Sequence, residues 1–85
     1  MVTSLLFPKS DDIEFKREFL NKLGENVVKL RSEKNWSQSD LARACFKDRQ
    51  SVERLENGKI NPSIFYLKEI ADALEIPVNQ LLSFE

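Results

Sequence analysis

Arg49, Gln50, Glu53 and Arg54 share one side of a short helical stretch, and their types limit what they can do. Turning that stretch through about 100° per residue puts Val52 and Leu55 on one face and these four on the other. Two guanidiniums, an amide and a carboxylate offer planar, two-pronged hydrogen bonding. They offer little for acid–base or nucleophilic catalysis. The chain has no histidine and one cysteine, Cys45, which shares a helix face with Leu41 and Ala42. No serine has a plausible base nearby, no His/Cys cluster suggests a metal, and no glycine-rich loop suggests a nucleotide. The adjacent carboxylates Asp11 and Asp12 suit a helix start better than acid–base work. The chain is therefore read as having no catalytic residue, no metal site and no cofactor.

The elements that must position the four residues run from Ser37 to Gly58. Two short amphipathic pieces are separated by Phe46-Lys47-Asp48. Ser37 can cap the first piece and Asp48 the second, because each side chain accepts from an orphan amide. Gly58 follows directly on the second piece, where a left-handed turn costs glycine little. Two capped helices a few residues apart, the second showing Arg and Gln to water, form the pattern of a helix-turn-helix.

The run from Gln38 to Gly58 resembles the helix-turn-helix of the phage repressor and Cro family, also called the XRE family. The likeness lies in Gln38, Leu41-Ala42, Val52, Leu55 and the Glu56-Asn57-Gly58-Lys59 ending. It extends to Leu30-Arg31, Asn61-Pro62, Ile70-Ala71 and Ala73-Leu74, covering roughly Leu20 to Leu82. The break departs from the family pattern, which has glycine and then an apolar residue where this chain has Phe46 and Lys47. Phenylalanine is disfavoured at positive φ. The expectation is a different local path, with Phe46 filling the hydrophobic hole and the helix spacing unchanged.

The rest of the chain reads as helical. At 85 residues there is room for one core, and a 41% apolar, 32% charged composition is that of a soluble globular chain. No stretch approaches a membrane span, no secretory signal is visible, and a single cysteine fits a reducing cytoplasm. Residues 1–12 are read as an N-terminal arm, either disordered or packed on a dimer partner; residues 13–85 are read as the helix-turn-helix domain. From Asp11-Asp12 onward, Phe15, Phe19, Leu20, Leu23, Val27 and Leu30 recur every three or four residues. This predicts a buried stripe on a long helix ending near Glu33 to Asn35, with Gly24 as a kink or a second start. Trp36 is read as a lid over the first two helices. Ser63 would cap a fourth helix with Ile64, Leu67, Ile70, Ala71 and Leu74 inward. Pro77 would open a short fifth helix, and Leu81, Leu82 and Phe84 exceed what one small core needs, so they suggest a dimer surface.

The net charge of −1 hides an uneven distribution. Residues 22–59 hold nine Lys or Arg against six acids, whereas residues 60–85 hold one against four. The basic excess lies within residues 22–59, the span that contains the two short helices, and the acid lies in the flanks.

The resemblance implies an all-α, compact five-helix repressor-like domain that binds double-stranded DNA. By position, Arg49, Gln50, Glu53 and Arg54 would read bases in the major groove, with arginine suited to guanine and glutamine to adenine. Gln38, Lys47, Asn57 and Lys59 would approach phosphates, which fix register rather than sequence. Arg31 and Glu56 match an ion pair tying helix one to the end of helix three. The implied function is a transcriptional regulator, a repressor acting as a homodimer on a pseudo-palindromic operator. The alternatives are an antitoxin or other protein-interaction module, with a toxin or polymerase as protein partner, and a restriction-system controller.

Overall fold

A computed structural model describes residues 9–84 of the protein, with side chains from Ile13 onward. Among these residues there are five helices and no strand: α1 (Lys9–Ser32), α2 (Gln38–Ala44), α3 (Arg49–Glu56), α4 (Ile64–Leu74) and α5 (Val78–Leu81). The part of the arm expected at residues 1–8 lies outside the described residues. The first helix begins at Lys9, two residues ahead of Asp11.

Local chemistry sets the helix starts. The Ser37 hydroxyl accepts from the Asp40 N–H at 3.1 Å while the Asp40 carboxylate accepts from the Ser37 N–H at 2.9 Å, a reciprocal capping box. Asp48 accepts from the Ser51 N–H at 2.8 Å and Ser63 from the Tyr66 N–H at 3.0 Å. Pro77 takes the cap position of α5, where its missing N–H costs nothing.

The helix ends share one geometry. Each of α1 to α4 closes with a residue in the left-handed region, at Asn35 (φ 61°), Phe46 (φ 60°), Gly58 (φ 69°) and Glu75 (φ 62°). The following N–H reaches back five residues each time: Trp36 to the Arg31 carbonyl, Lys47 to Ala42, Lys59 to Arg54 and Ile76 to Ala71, at 2.8 to 3.0 Å. These closures satisfy carbonyls that the helix end would otherwise leave unpaired.

Phe46 corrects the sequence reading. The chain keeps the left-handed path, and the Phe46 ring is 93% exposed rather than filling a hole. Two hydrogen bonds of the closure, Phe46 N–H to Arg43 O at 3.3 Å and Lys47 N–H to Ala42 O at 2.8 Å, hold the backbone against the steric preference. Such a residue costs of order 1–2 kcal/mol.

The core joins the second half of α1 to all the other helices. Leu23, Val27, Leu30, Leu41, Ala42, Cys45, Val52, Leu55, Leu67, Ile70, Ala71, Leu74 and Leu81 are buried, with Trp36 partly buried against them. Gly24 does not start a second helix, because α1 runs unbroken through it. A Cβ at Gly24 would overlap the Glu56 carbonyl and stand 2.7 Å from the Leu55 carbonyl oxygen. The glycine lets α1 cross the end of α3 at backbone contact distance.

Three expected core positions face water instead. Phe15 and Phe19 are exposed because α1 projects past the body before its first fully buried residue, Leu23. Ile64, in the first turn of α4, is also exposed; Tyr66 turns inward in its place. Leu81, assigned to a dimer surface, is wholly buried in the core, while Leu82 stays exposed and Phe84 partly so.

Candidate nucleic-acid interface

Helix α3 is amphipathic, and its two sides divide cleanly. Val52 and Leu55 are buried at 0% and 1% exposure and seat the helix, whereas Arg49, Gln50 and Arg54 are exposed and Glu53 is half-buried. Gln50, Glu53, Arg54, Asn57 and Lys59 line one shallow depression along the outer side. Lys59 reaches it because the left-handed turn at Gly58 folds the chain back over the end of α3. Arg49 stands at the other end, 3.8 Å from the Glu53 carboxylate.

Behind this surface lies a polar network that begins in the core. Arg31 grips Glu56 with two prongs, Nε to Oε2 at 2.6 Å and Nη2 to Oε1 at 3.0 Å. Its third nitrogen donates to the Trp36 carbonyl at 2.9 Å. The hydrogen bond that Arg31 donates to Glu56 raises its pKa against the opposing effect of burial, so the guanidinium stays charged. Oε1 of Glu56 also accepts from Nε2 of Gln38 at 2.9 Å, and Oε1 of Gln38 accepts from Arg49 at 3.1 Å. A continuous chain thus runs from α1 through α3 and α2 to the first residue of α3.

Both ends of the Gln38 amide are therefore engaged within the protein. Its position still opens α2, at the end where a helix leaves backbone N–H groups without an intrahelical partner. Lys47 is directed toward α4: its ammonium lies 3.0 Å from Glu69 and 5.2 Å over the Tyr66 ring. Hydrogen bonding to Glu69 raises the Lys47 pKa.

Sequence reasoning missed Tyr66. Its hydroxyl lies 2.8 Å from that of Ser51, tying α4 to the first turn of the exposed-arginine helix. Burial raises its pKa, so it remains a neutral phenol. An aromatic three residues past the cap serine Ser63 was the available signal. Gln38 as a bridge was equally unseen, although Gln38 and Arg49 each open a helix of one pair.

With this geometry established, a family profile described as helix-turn-helix matches residues 27–81. The chain belongs to this helix-turn-helix family. The match runs from the last third of α1 through α5, so residues 9–26 of that helix lie outside the matched region. The solved restriction-modification controller protein C.AhdI from Aeromonas hydrophila is 34% identical with a TM-score of 0.74, covering 76% of this chain and 94% of that one. The solved hypothetical transcription factor NHTF from Neisseria is 33% identical with a TM-score of 0.74, covering 79% of this chain and 75% of that one. A curated hypothetical transcription factor of Neisseria meningitidis serogroup B is 37% identical over 60 residues. That overlap is 71% of this helix-turn-helix chain, and the chain spans only 57% of the relative's length.

Proposed function

We propose that the chain is a sequence-specific DNA-binding transcriptional regulator, a non-enzymatic cytoplasmic protein that represses as a homodimer on a pseudo-palindromic operator. One observation carries the reading: the exposed side of α3 presents Arg49, Gln50 and Arg54 together, while Val52 and Leu55 seat the helix in the core. In the major groove, Arg49 and Arg54 would each pair with a guanine and Gln50 with an adenine, each good pair contributing about 1–3 kcal/mol of discrimination. Glu53 holds Arg49 in place or accepts from cytosine. Lys59, Asn57 and the α2 N-terminus beside Gln38 would meet phosphates and fix register. Lys47, paired with Glu69, contributes there only by releasing that partner. Two half-sites about 34–36 Å apart would match a two-fold dimer.

The test is a titration of fluorescent DNA from the gene's upstream region, at two salt concentrations, with wild type and Arg49→Ala/Arg54→Ala. Wild type should bind tightly, weaken with salt and prefer that DNA over a scrambled sequence. The variant should keep salt-dependent binding and lose the preference. Equal, weak binding of both DNAs by both proteins would reject the reading.

Within it, a restriction-system controller is favoured by the likeness to C.AhdI over nearly all of that chain. Adjacent genes for a methyltransferase and an endonuclease, with binding upstream of them, would distinguish it.

A further inference from the structure

The first half of α1 carries apolar side chains that the described chain does not cover. Residues 13–19 are exposed all round the helix, and they include Ile13, Phe15 at 74% and Phe19 at 42%. Short isolated helices are marginal in water and gain most of their stability from packing. The exposure of residues 13–18 leaves this segment little packing beyond the contact of Phe19 with Phe84. The Phe19 and Phe84 rings, 5.3 Å between centroids, carry the apolar surface onto the C-terminal residues. Phe15, Phe19, Leu82 and Phe84 then line one open depression of about 240 Å³, edged by Glu18 and Lys22. Contiguous exposed apolar surface with a polar rim marks an interaction site.

We propose that this face is the dimer surface, occupied by the same face of a second copy with the two α1 helices antiparallel about a two-fold axis. The proposal rests on the homodimer reading above and names the surface that forms it. Charge selects the occupant. Glu18 and Lys22 are an acid and a base one turn apart, 3.4 Å from each other on the rim. Such a pair is self-complementary: antiparallel pairing centred on Leu20 sets Glu18 of each copy level with Lys22 of the other. Four alternating charges then flank an apolar centre built on two Phe19 rings. A two-fold contact needs this property, since each patch must complement itself.

Orientation agrees. Gly24, where α3 crosses, is nine residues beyond Phe15, which is about 900° or half a turn round the helix at 100° per residue. Pairing through the Phe15 face therefore leaves α3 uncovered. The α1 part of the face also precedes residue 27, where the family match begins.

Analytical ultracentrifugation of the full chain tests this, with circular dichroism confirming that each variant is folded. Wild type should be a dimer. Phe15→Glu, at a side chain with no core contact, should raise the dissociation constant at least about tenfold, the scale of a residue central to an interface. Phe65→Glu, on the exposed first turn of α4, should leave it unchanged. Glu18→Lys should weaken the dimer, and Glu18→Lys/Lys22→Glu should restore it, because the swapped pair is again self-complementary. A wild-type dimer indifferent to Phe15→Glu would overturn this surface and leave the homodimer standing. A Glu18→Lys defect that the double swap does not repair would overturn the antiparallel arrangement. A wild type that is monomeric throughout the micromolar range would overturn the surface and the homodimer together, with the DNA titration still judging base reading separately.

Discussion

Arg31 and Glu56 face each other across the junction of α1 and α3 with two parallel hydrogen bonds, at 2.6 and 3.0 Å, and their side chains are 15% and 2% exposed. The pair is enclosed, fully hydrogen-bonded and connected outward through Gln38 to Arg49. It fixes α3 to α1 and, through the same atoms, fixes the first arginine of the exposed surface.

Removing one partner leaves the other charged and enclosed, so Arg31→Ala or Glu56→Ala should each cost about 3–5 kcal/mol. Total stabilities are only ~5–15 kcal/mol, so urea midpoints should fall steeply. A loss below about 1 kcal/mol, the value for a surface pair, would show that water screens the contact.

Gly24→Ala separates propensity from packing. In an exposed helix that change gains up to about 1 kcal/mol. Here the added methyl meets the Glu56 and Leu55 carbonyls, and overpacking of this kind typically costs about 1–3 kcal/mol. The expected result is a lower unfolding midpoint; a higher one would mean that α1 and α3 can separate freely.

Phe46→Asn should stabilise the protein by roughly 0.5–1 kcal/mol, because asparagine tolerates the left-handed region and the exposed ring gives up little burial. Thermal denaturation measures this. An unchanged or lower melting temperature would mean that the ring contributes a contact worth as much as the strain.

Acid stability should depend on Asp40. Its carboxyl is held below the ordinary 3.8, first by the Ser37 N–H and then by the Ser37 side chain. A depressed pKa stabilises the fold above the unfolded value and loses that contribution as pH falls through the folded one. Wild type should therefore lose stability below about pH 4 in part through this group. Asp40→Asn should flatten that slope in urea titrations between pH 2 and 5; an unchanged slope would place the titration in other carboxylates.

What the sequence made legible was local. Ser37, Asp48 and Ser63 could be read as caps because a cap is settled within three residues. Gly58 could be read as a left-handed turn for the same reason. The exposure of Phe15 and Phe19 could not, since periodicity finds a face without showing whether anything lies against it. Nor could Phe46, where one residue's steric preference yielded to two hydrogen bonds anchored in α2. The Lys47–Glu69 and Ser51–Tyr66 contacts join residues 22 and 15 apart, and only the folded α4 brings them together. On the outer side of α3, the choice of Arg49, Gln50 and Arg54 followed from helical turning and family likeness together; neither described the Gln38 bridge behind Arg49.

Both glycines of the chain stand at one joint. Gly24 touches the last turn of α3 and Gly58, just beyond that turn, packs against Asn21 of α1. The other left-handed closures use Asn35, Phe46 and Glu75 instead. The consequence is a lever with its pivot at the far end: α3 is clamped to α1 at its C-terminal turn, where the backbones leave no room for slack. Its N-terminal turn is held by side chains instead, through the Asp48 cap, the Gln38–Arg49 contact and the Ser51–Tyr66 contact. A substitution can re-set those contacts without moving backbone, which the glycine joint does not allow.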